Sequence, residues 1–259
     1  MADKSQIRER LASGVPVIGT WNTLASPLAT EAMAQGGFDF QIIDLEHGPF
    51  ELGGVHQQVS ACAATGCSPL VRVPTNQDWM VLQALDQGAH GVVVPHIDSV
   101  AEARALAEAA RYHPHGKRGF TPFSKAGGFS NRFAAKHVAA SEAVITVAIV
   151  ESREGLEELD AILEVDGVDV VYFGAYDISQ ALGCPGEVRH QKVIETISNG
   201  VERAVRAGKV AGGFVPQSKD DIKWLLDMGM RFITYEVDCS ILYRGVAEVC
   251  EWLDMEAKR

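Results

Sequence analysis

The sequence lacks the features that mark membrane, secreted and nucleic-acid-binding proteins. No run approaches the roughly 18 apolar residues that cross a bilayer, and the first residues are polar rather than a secretion signal. Lys and Arg number 23 against 34 Asp and Glu, so the formal charge is −11. A chain this acidic is not expected to bind nucleic acid or an anionic membrane. The five cysteines include no C-x-x-C pair, which predicts reduced thiols in a cytoplasmic protein.

Several catalytic motifs are also missing. The chain has no G-x-S-x-G elbow, no phosphate-binding P-loop and no H-E-x-x-H zinc pattern. A Schiff-base aldolase needs a lysine inside its barrel near the catalytic mouth, and no lysine lies in the inner or C-terminal part of a predicted strand. Lys117 and Lys125, which lie in a long predicted loop, are the two lysines that remain as candidates for imine formation. Metal-assisted chemistry is therefore favoured over imine chemistry.

Apolar runs rich in Val and Ile alternate with amphipathic runs of helical period. The predicted strands are 15–22, 38–46, 68–74, 90–97, 145–151, 168–174, 209–215 and 231–237. The predicted helices are 26–36, 53–65, 77–87, 99–112, 153–164, 190–207, 218–229 and 239–256. Apolar strands separated by helices suit a parallel sheet that is buried on both faces. The pattern predicts a single (β/α)₈ barrel over residues 1–259. A doubly wound sheet is the alternative, but no G-x-G-x-x-G follows the first strand.

One segment, residues 113–143, is too long for a simple connection between a helix and a strand. It contains glycines, aromatic residues and basic residues, a composition that suits an active-site loop. A surface insertion is the alternative interpretation.

Polar residues collect at the predicted strand ends. They are Asp44, Glu46, His47, Arg72, His96, Glu151, Asp177 and Asp238. In a barrel the catalytic groups lie at the C-terminal ends of the strands, and charged groups at buried strand ends are costly unless they are paired or metal-bound. This convergence predicts a functional site. Glu151 and Asp177, on adjacent strands, suit a hard divalent cation such as Mg²⁺ or Mn²⁺.

The motifs resemble those of the HpcH/HpaI aldolases, which are class II, divalent-metal pyruvate aldolases. The resemblance covers nearly the whole chain, and D-x-E-H-G-P and R-Y-x-P-x-G-x-R-G are its most specific motifs. The matching runs are G-T-W-N-T-L-A-S-P at 19–27, G-F-D-F-Q-I-I-D-L-E-H-G-P at 37–49, L-V-R-V-P at 70–74, L-D-Q-G-A-H-G-V-V-V-P at 85–95, A-R-Y-H-P-H-G-K-R-G at 110–119, V-E-S-R-E at 150–154 and G-V-D-V-V-Y-F-G-A-Y-D-I-S at 167–179.

The resemblance implies a role for individual residues. His47 matches the catalytic histidine of the family, Arg72 its catalytic arginine, and Asp86 the acid that pairs with the histidine. Glu151 and Asp177 match the metal ligands, for which Mg²⁺, Mn²⁺ or Co²⁺ is expected.

The implied substrates are pyruvate and an aldehyde, joined as a 4-hydroxy-2-oxo acid. The pyruvate carboxylate would be received by Gly174, Ala175, Tyr176 and Asp177, with Arg72 also touching the substrate. The resemblance further implies a homo-oligomer, a hexamer in which neighbours exchange the last helix.

Some positions depart from the family pattern. Ile149 stands where Gln is common, Ala175 and Tyr176 alter G-P-x-D, and Glu236 lies in a changed run before Asp238. These changes bear on which substrate is used. Two alternatives stay open, a related enolate-forming lyase that acts on a CoA thioester, and a barrel that binds a 2-oxo acid without turning it over.

Overall fold

Eight parallel strands pair in sequence order, and the last pairs with the first to close a barrel. A computed structural model describes residues 5–49, 51–215 and 218–257. The strands are β1 (Val17–Asn22), β2 (Phe40–Asp44), β3 (Ser68–Arg72), β4 (Gly91–Val94), β5 (Ile145–Val150), β6 (Val170–Phe173), β7 (Val210–Val215) and β8 (Phe232–Val237). The predicted (β/α)₈ barrel is confirmed. That one such domain takes in all of residues 1–259 stays a prediction, because the ends of this range lie outside the described residues.

The described residues form twelve α-helices around the barrel and at its two ends. They are α1 (Ser5–Ala12), α2 (Pro27–Gln35), α3 (Val55–Thr65), α4 (Asp78–Asp86), α5 (Val100–Ala110), α6 (Ala134–Ser141), α7 (Arg153–Glu157), α8 (Leu159–Leu163), α9 (Ala175–Ala181), α10 (Gln191–Arg206), α11 (Lys219–Met228) and α12 (Asp238–Ala257). In the described part of the chain, no helix combines the length and apolar character needed to cross a membrane.

Side chains alternate between the two faces of each strand, and both faces are buried. On β2, Ile42 belongs to the cluster inside the barrel and Ile43 to the layer between the sheet and the helices. The inner cluster includes Phe40 and Phe232, whose rings stack with centroids 4.2 Å apart. Gly19 is required beside them, because a Cβ there would lie 2.4 Å from the Phe40 carbonyl oxygen. This double burial explains the continuous apolar runs of the strands.

The N-terminal end of the barrel is covered by α1, whose Ile7 and Leu11 join the inner cluster. This helix was not predicted. The opposite end, where the strands finish, carries the charged residues, as expected for the fold.

Three further differences from the predicted elements concern the connections. Residues 153–164 form two short helices, α7 and α8, which break at Glu158. Within the long 113–143 segment, α6 packs through His137, whose Nε2 lies 2.8 Å from the Tyr112 hydroxyl. The chain after β6 enters α9 directly, so Asp177 lies in the first turn of a helix.

Candidate active site

Arg72 is held rigidly at the mouth of the barrel. It ends β3 opposite Asp44, the last residue of β2. Its Nε and Nη2 donate to the two oxygens of Asp44 at 2.8 and 2.5 Å, a bidentate geometry. Burial alone would lower the pKa of Arg72, but the carboxylates of Asp44, Glu46 and Glu151 outweigh burial and raise it. Arg72 is therefore a permanent, fixed cation.

The indole of Trp21 forms the floor beneath this cation. Its ring centroid lies 4.3 Å from Cζ of Arg72. Its Nε1 donates to the hydroxyl of Thr234 at 3.0 Å, and the Tyr172 hydroxyl lies 2.6 Å from the same oxygen. Trp21 was not among the predicted site residues, although it lies near the end of the first strand within a motif that carried the resemblance.

Glu46 brings a second carboxylate to the mouth. The turn that carries it is fixed by Asp44, whose Oδ1 accepts the backbone N–H groups of Glu46 and His47 at 3.0 and 3.2 Å. Oε2 of Glu46 lies 2.8 Å from Nη1 of Arg72. This oxygen is buried, yet among the described residues it has no hydrogen-bond donor in good alignment. A buried carboxylate oxygen with free acceptor capacity is a site for a water molecule or a cation.

Glu151 follows β5 and is only 5% exposed. Its Oε1 accepts the backbone N–H of His96 at 3.1 Å, and the His96 ring lies 3.4 Å away through Nδ1. Burial, together with the charges of Asp177 and Glu46, raises the pKa of Glu151 to about 7 against the opposing effect of His96. The carboxyl is thus poorly neutralised by the residues around it.

The loop after β6 completes this side of the mouth. Gly174 leaves room for Glu151, since a Cβ at Gly174 would lie 2.4 Å from Oε2 of Glu151. Ala175, Tyr176 and Asp177 form the first turn of α9. Tyr176 is 50% exposed, and its ring centroid lies 5.9 Å from that of Phe214.

The carboxylates of Glu46, Glu151 and Asp177 fit a hard divalent cation in their donor type, and their combined negative charge exceeds the single positive charge of Arg72 beside them. Asp177 is exposed, and its charge acts on Glu151. Within the described ranges, no group of three or more His, Cys, Asp or Glu side chains is arranged to hold a metal ion. An ion held by two such carboxylates would take its other ligands from substrate or water.

In the structure, His47 and Asp86 contact different residues. The side chain of His47 is 68% exposed, and its Nε2 lies 4.0 Å from Oε2 of Glu46. Asp86 accepts a hydrogen bond from Nη2 of Arg118 at 2.7 Å. The described residues show no hydrogen bond between Asp86 and His47, so their pairing stays a prediction.

Two of the acidic residues near the end of β8 have structural partners. The carboxylate of Asp238 accepts the backbone N–H groups of Thr23 and Leu24 at 2.9 to 3.0 Å. Glu236, which is 1% exposed, pairs with Nη1 of Arg244 at 2.5 Å. Asp238 was predicted to be one of the functional strand-end residues, and in the structure its contacts hold the loop after β1 to α12.

The change at position 149 lies below the charged layer. Ile149 belongs to the cluster inside the barrel and is 1% exposed. An apolar side chain therefore stands two residues before Glu151 on the inner face of β5.

A closed parallel barrel that gathers a fixed arginine and several carboxylates at its C-terminal mouth defines an enzyme of the (β/α)₈ class. The family model described as HpcH/HpaI aldolase/citrate lyase matches residues 17–244. The chain belongs to this family, and it is a carbon–carbon lyase. The resemblance that the sequence motifs suggested is confirmed.

Individual relatives agree with the family. The chain is 32% identical over 253 residues to a hydroxypyruvate/pyruvate aldolase of Roseobacter denitrificans, covering 97% of this chain and 98% of the relative. It is 32% identical to a 4-hydroxy-2-oxo-heptane-1,7-dioate aldolase of Salmonella typhimurium, covering 98% and 97%. Among solved structures, an HpcH/HpaI aldolase/citrate lyase family protein from Burkholderia cenocepacia superposes with a TM-score of 0.90 at 30% identity, covering 96% and 99%.

Proposed function

We propose that the enzyme catalyses the reversible aldol cleavage of a 4-hydroxy-2-oxo acid to pyruvate and an aldehyde, with the help of a divalent metal ion. The observation that carries this proposal is the fixed Arg72 cation at the mouth, beside the carboxylates of Glu46 and Glu151. Cleavage develops negative charge on the keto oxygen of the pyruvate half, and a preorganised cation lowers the energy of that charge. The two relatives described above are both aldolases, which supports the same reaction class.

We assign the metal to Glu151 and Asp177. When bound, an ion such as Mg²⁺, Mn²⁺ or Co²⁺ polarises the keto group and offsets the negative charge that develops on it. The buried Glu151, whose pKa is raised to about 7 by burial and by nearby carboxylates, supports this assignment. A cation relieves the cost of keeping such a group ionised.

The protein groups have separate tasks in this proposal. The planar guanidinium of Arg72, locked by Asp44, stays beside the keto oxygen throughout the reaction. His47 takes the proton of the 4-hydroxyl group as the carbon–carbon bond breaks and its electron pair passes to the enolate of the pyruvate half. Delivery of that proton to C3 of the enolate gives pyruvate, and the reverse reaction runs through the same steps. The exposure of His47 at the mouth suits contact with the reacting hydroxyl of an entering substrate. Asp86 is assigned to the orientation of His47.

The carboxylate of the pyruvate half is assigned to the stretch from Gly174 to Asp177. The first N–H groups of a helix have no carbonyl partners inside the helix, so they can bond an anion. Here they come directly after the β6 strand end and beside Glu151.

A metal-supplemented assay for pyruvate release across a panel of 4-hydroxy-2-oxo acids tests the proposal. We expect turnover that EDTA abolishes and that Mn²⁺, Co²⁺ or Mg²⁺ restores. A parallel arm with CoA thioesters tests the alternative lyase. Full activity after exhaustive chelation, or turnover of the thioester alone, would contradict the proposed reaction.

A second test asks whether a lysine forms a covalent intermediate. We expect borohydride to trap no pyruvate on the protein. Lys117 is engaged with Asp78 and Glu108, and Lys125 donates to the Ser60 hydroxyl and the His56 carbonyl. A lysine that gains the mass of reduced pyruvate would contradict the metal-assisted mechanism.

We also propose that the enzyme is a homo-oligomer, a hexamer in which α12 is exchanged between neighbours. This helix exposes a row of large apolar side chains, each at least 58% accessible in the single chain. They are Leu242, Tyr243, Val246, Val249, Trp252, Leu253 and Met255. Contiguous apolar surface of this kind marks an interaction site. Light scattering coupled to size-exclusion chromatography measures the assembly directly.

A cytoplasmic location is proposed from the cysteines. Cys62, Cys67, Cys184, Cys239 and Cys250 are free thiols. Free thiols persist in a reducing compartment, and fractionation of cells that express the protein tests this assignment.

A further inference from the structure

His96 occupies a position that the proposed roles leave unused. It follows β4 and lies between two site carboxylates, with Nδ1 3.4 Å from Oε1 of Glu151 and Nε2 3.6 Å from Oε1 of Glu46. Its backbone N–H also donates to Oε1 of Glu151 at 3.1 Å. One residue therefore contacts the same glutamate oxygen through both its main chain and its side chain.

The backbone of His96 is in the left-handed region, with φ of 52°. This region is uncommon for residues other than glycine and carries backbone strain. Such strain persists where the surroundings require it, and here it accompanies the hydrogen bond to Glu151. The side chain is 58% exposed, so burial of the ring does not account for the conformation.

We propose that His96 is a positioning residue: its backbone N–H and Nδ1 hold Oε1 of Glu151, so that Oε2 stays turned toward Gly174 and available to the metal. On the far side of the ring, Nε2 lies 3.6 Å from Oε1 of Glu46. The inference rests on the proposed metal site, because it concerns how this chain presents one of the two assigned ligands.

The two oxygens of Glu151 have different surroundings. Oε1 faces the N–H of His96 and its ring, whereas Oε2 lies against Gly174. A carboxylate in a mouth that also holds Glu46 and Asp177 is repelled by both, and without a partner its side chain would rotate away from them. Partners of this kind orient metal ligands, and losing one typically weakens metal binding about 10- to 100-fold.

Mn²⁺ binding tests the proposal separately from turnover. The loss of the six-line electron paramagnetic resonance signal of free Mn²⁺ gives a dissociation constant for the full-length protein. His96→Phe keeps the ring volume and removes both nitrogens. His96→Asn keeps a polar nitrogen at the position of Nδ1 and suits a left-handed backbone. His56→Phe, at an exposed position on α3, is the matched control.

We expect His96→Phe to raise the Mn²⁺ dissociation constant at least tenfold, and His96→Asn and His56→Phe to stay within about threefold of the unmodified protein. Thermal melts confirm that each variant is folded. A His96→Phe value within twofold of the unmodified protein overturns the proposal, and so does a His96→Asn value as weak as that of His96→Phe.

Pulsed electron paramagnetic resonance separates positioning from direct ligation. We expect bound Mn²⁺ to show no ¹⁴N coupling from His96. The unmodified protein and His96→Asn should therefore show the same ¹⁴N couplings. A ¹⁴N coupling from His96 would make this residue a ligand and refute the positioning role. If the unmodified protein binds Mn²⁺ but releases no pyruvate, the proposed reaction fails while this inference stands on the binding data.

Discussion

Replacing Gly174 with alanine tests the site with a single methyl group. The added Cβ would lie 2.4 Å from Oε2, 2.8 Å from Cβ and 3.3 Å from Cδ of Glu151. Gly174 has φ of −75°, so alanine itself is not strained there. The whole effect therefore comes from the collision with Glu151. Because this glutamate is buried beneath the mouth, its carboxylate has to rotate away from the position assigned to the metal.

The expected magnitude follows from that displacement. Overpacking at a buried position costs about 1–3 kcal/mol, which for a domain of this size lowers Tm by about 2–12 °C. Misplacing a ligand should weaken Mn²⁺ binding at least tenfold, and turnover at low metal concentration should fall in proportion. The assays are a thermal melt, a Mn²⁺ titration and pyruvate release over a range of metal concentrations.

Gly54→Ala is the matched control. Gly54 has φ of −83°, and a Cβ there would meet no atom within 4 Å. This variant should keep both metal affinity and activity. If Gly174→Ala binds Mn²⁺ and turns over like the control, Glu151 is not the ligand and the assignment of the mouth is wrong.

Four further predictions follow from the same contacts. His47→Ala should lower kcat roughly 100-fold, the usual loss for a general acid–base group. The Mn²⁺ affinity measured by titration should stay unchanged, and loss of metal binding would show that His47 is a ligand. Arg72→Lys should lower kcat/KM at least tenfold, because an ammonium cannot reproduce the bidentate contact with Asp44. Steady-state kinetics measures this change, and a near-normal kcat/KM would show that Arg72 takes no part in the reaction. The pKa of Glu151, raised by burial to about 7, makes the ionised group costly in the folded state. The Tm of the metal-free protein should therefore fall as pH rises from about 5 to 8 relative to that of Glu151→Gln, and equal pH profiles would refute the raised pKa. Trp252→Asp on α12 should reduce the molecular mass measured by light scattering, and an unchanged mass would place the contacts between subunits elsewhere.

The sequence predicted the barrel well because each strand is buried on both faces. The run 145–150 is apolar apart from Thr146. Such a run fits a sheet that is covered by helices on one face and by the barrel interior on the other. The helices that carry clear caps and an apolar stripe were also predicted. The short ones were not, since α1 is mostly polar and is held by Ile7 and Leu11 under the barrel rather than by its own propensity.

The sequence showed which charged residues lie at the strand ends, but it did not show which of them contact one another in the site and which hold neighbouring loops. Asp44 and Asp238 give the same local signal, an acid where a strand finishes. The closed barrel places Asp44 against Arg72 and turns Asp238 toward the backbone of the β1 loop. Register between neighbouring strands decides this difference, and register is a property of the whole sheet.

The sequence by itself determined the fold class, the family and the identities of the charged groups that reach the mouth. Tertiary structure alone decided which of them meet. His96 and Glu151 are 55 residues apart in the chain, and their contact exists because β4 and β5 are neighbours in the barrel. The raised pKa of Glu151 has the same origin, since burial and the nearby charges come from elements that only barrel closure brings together.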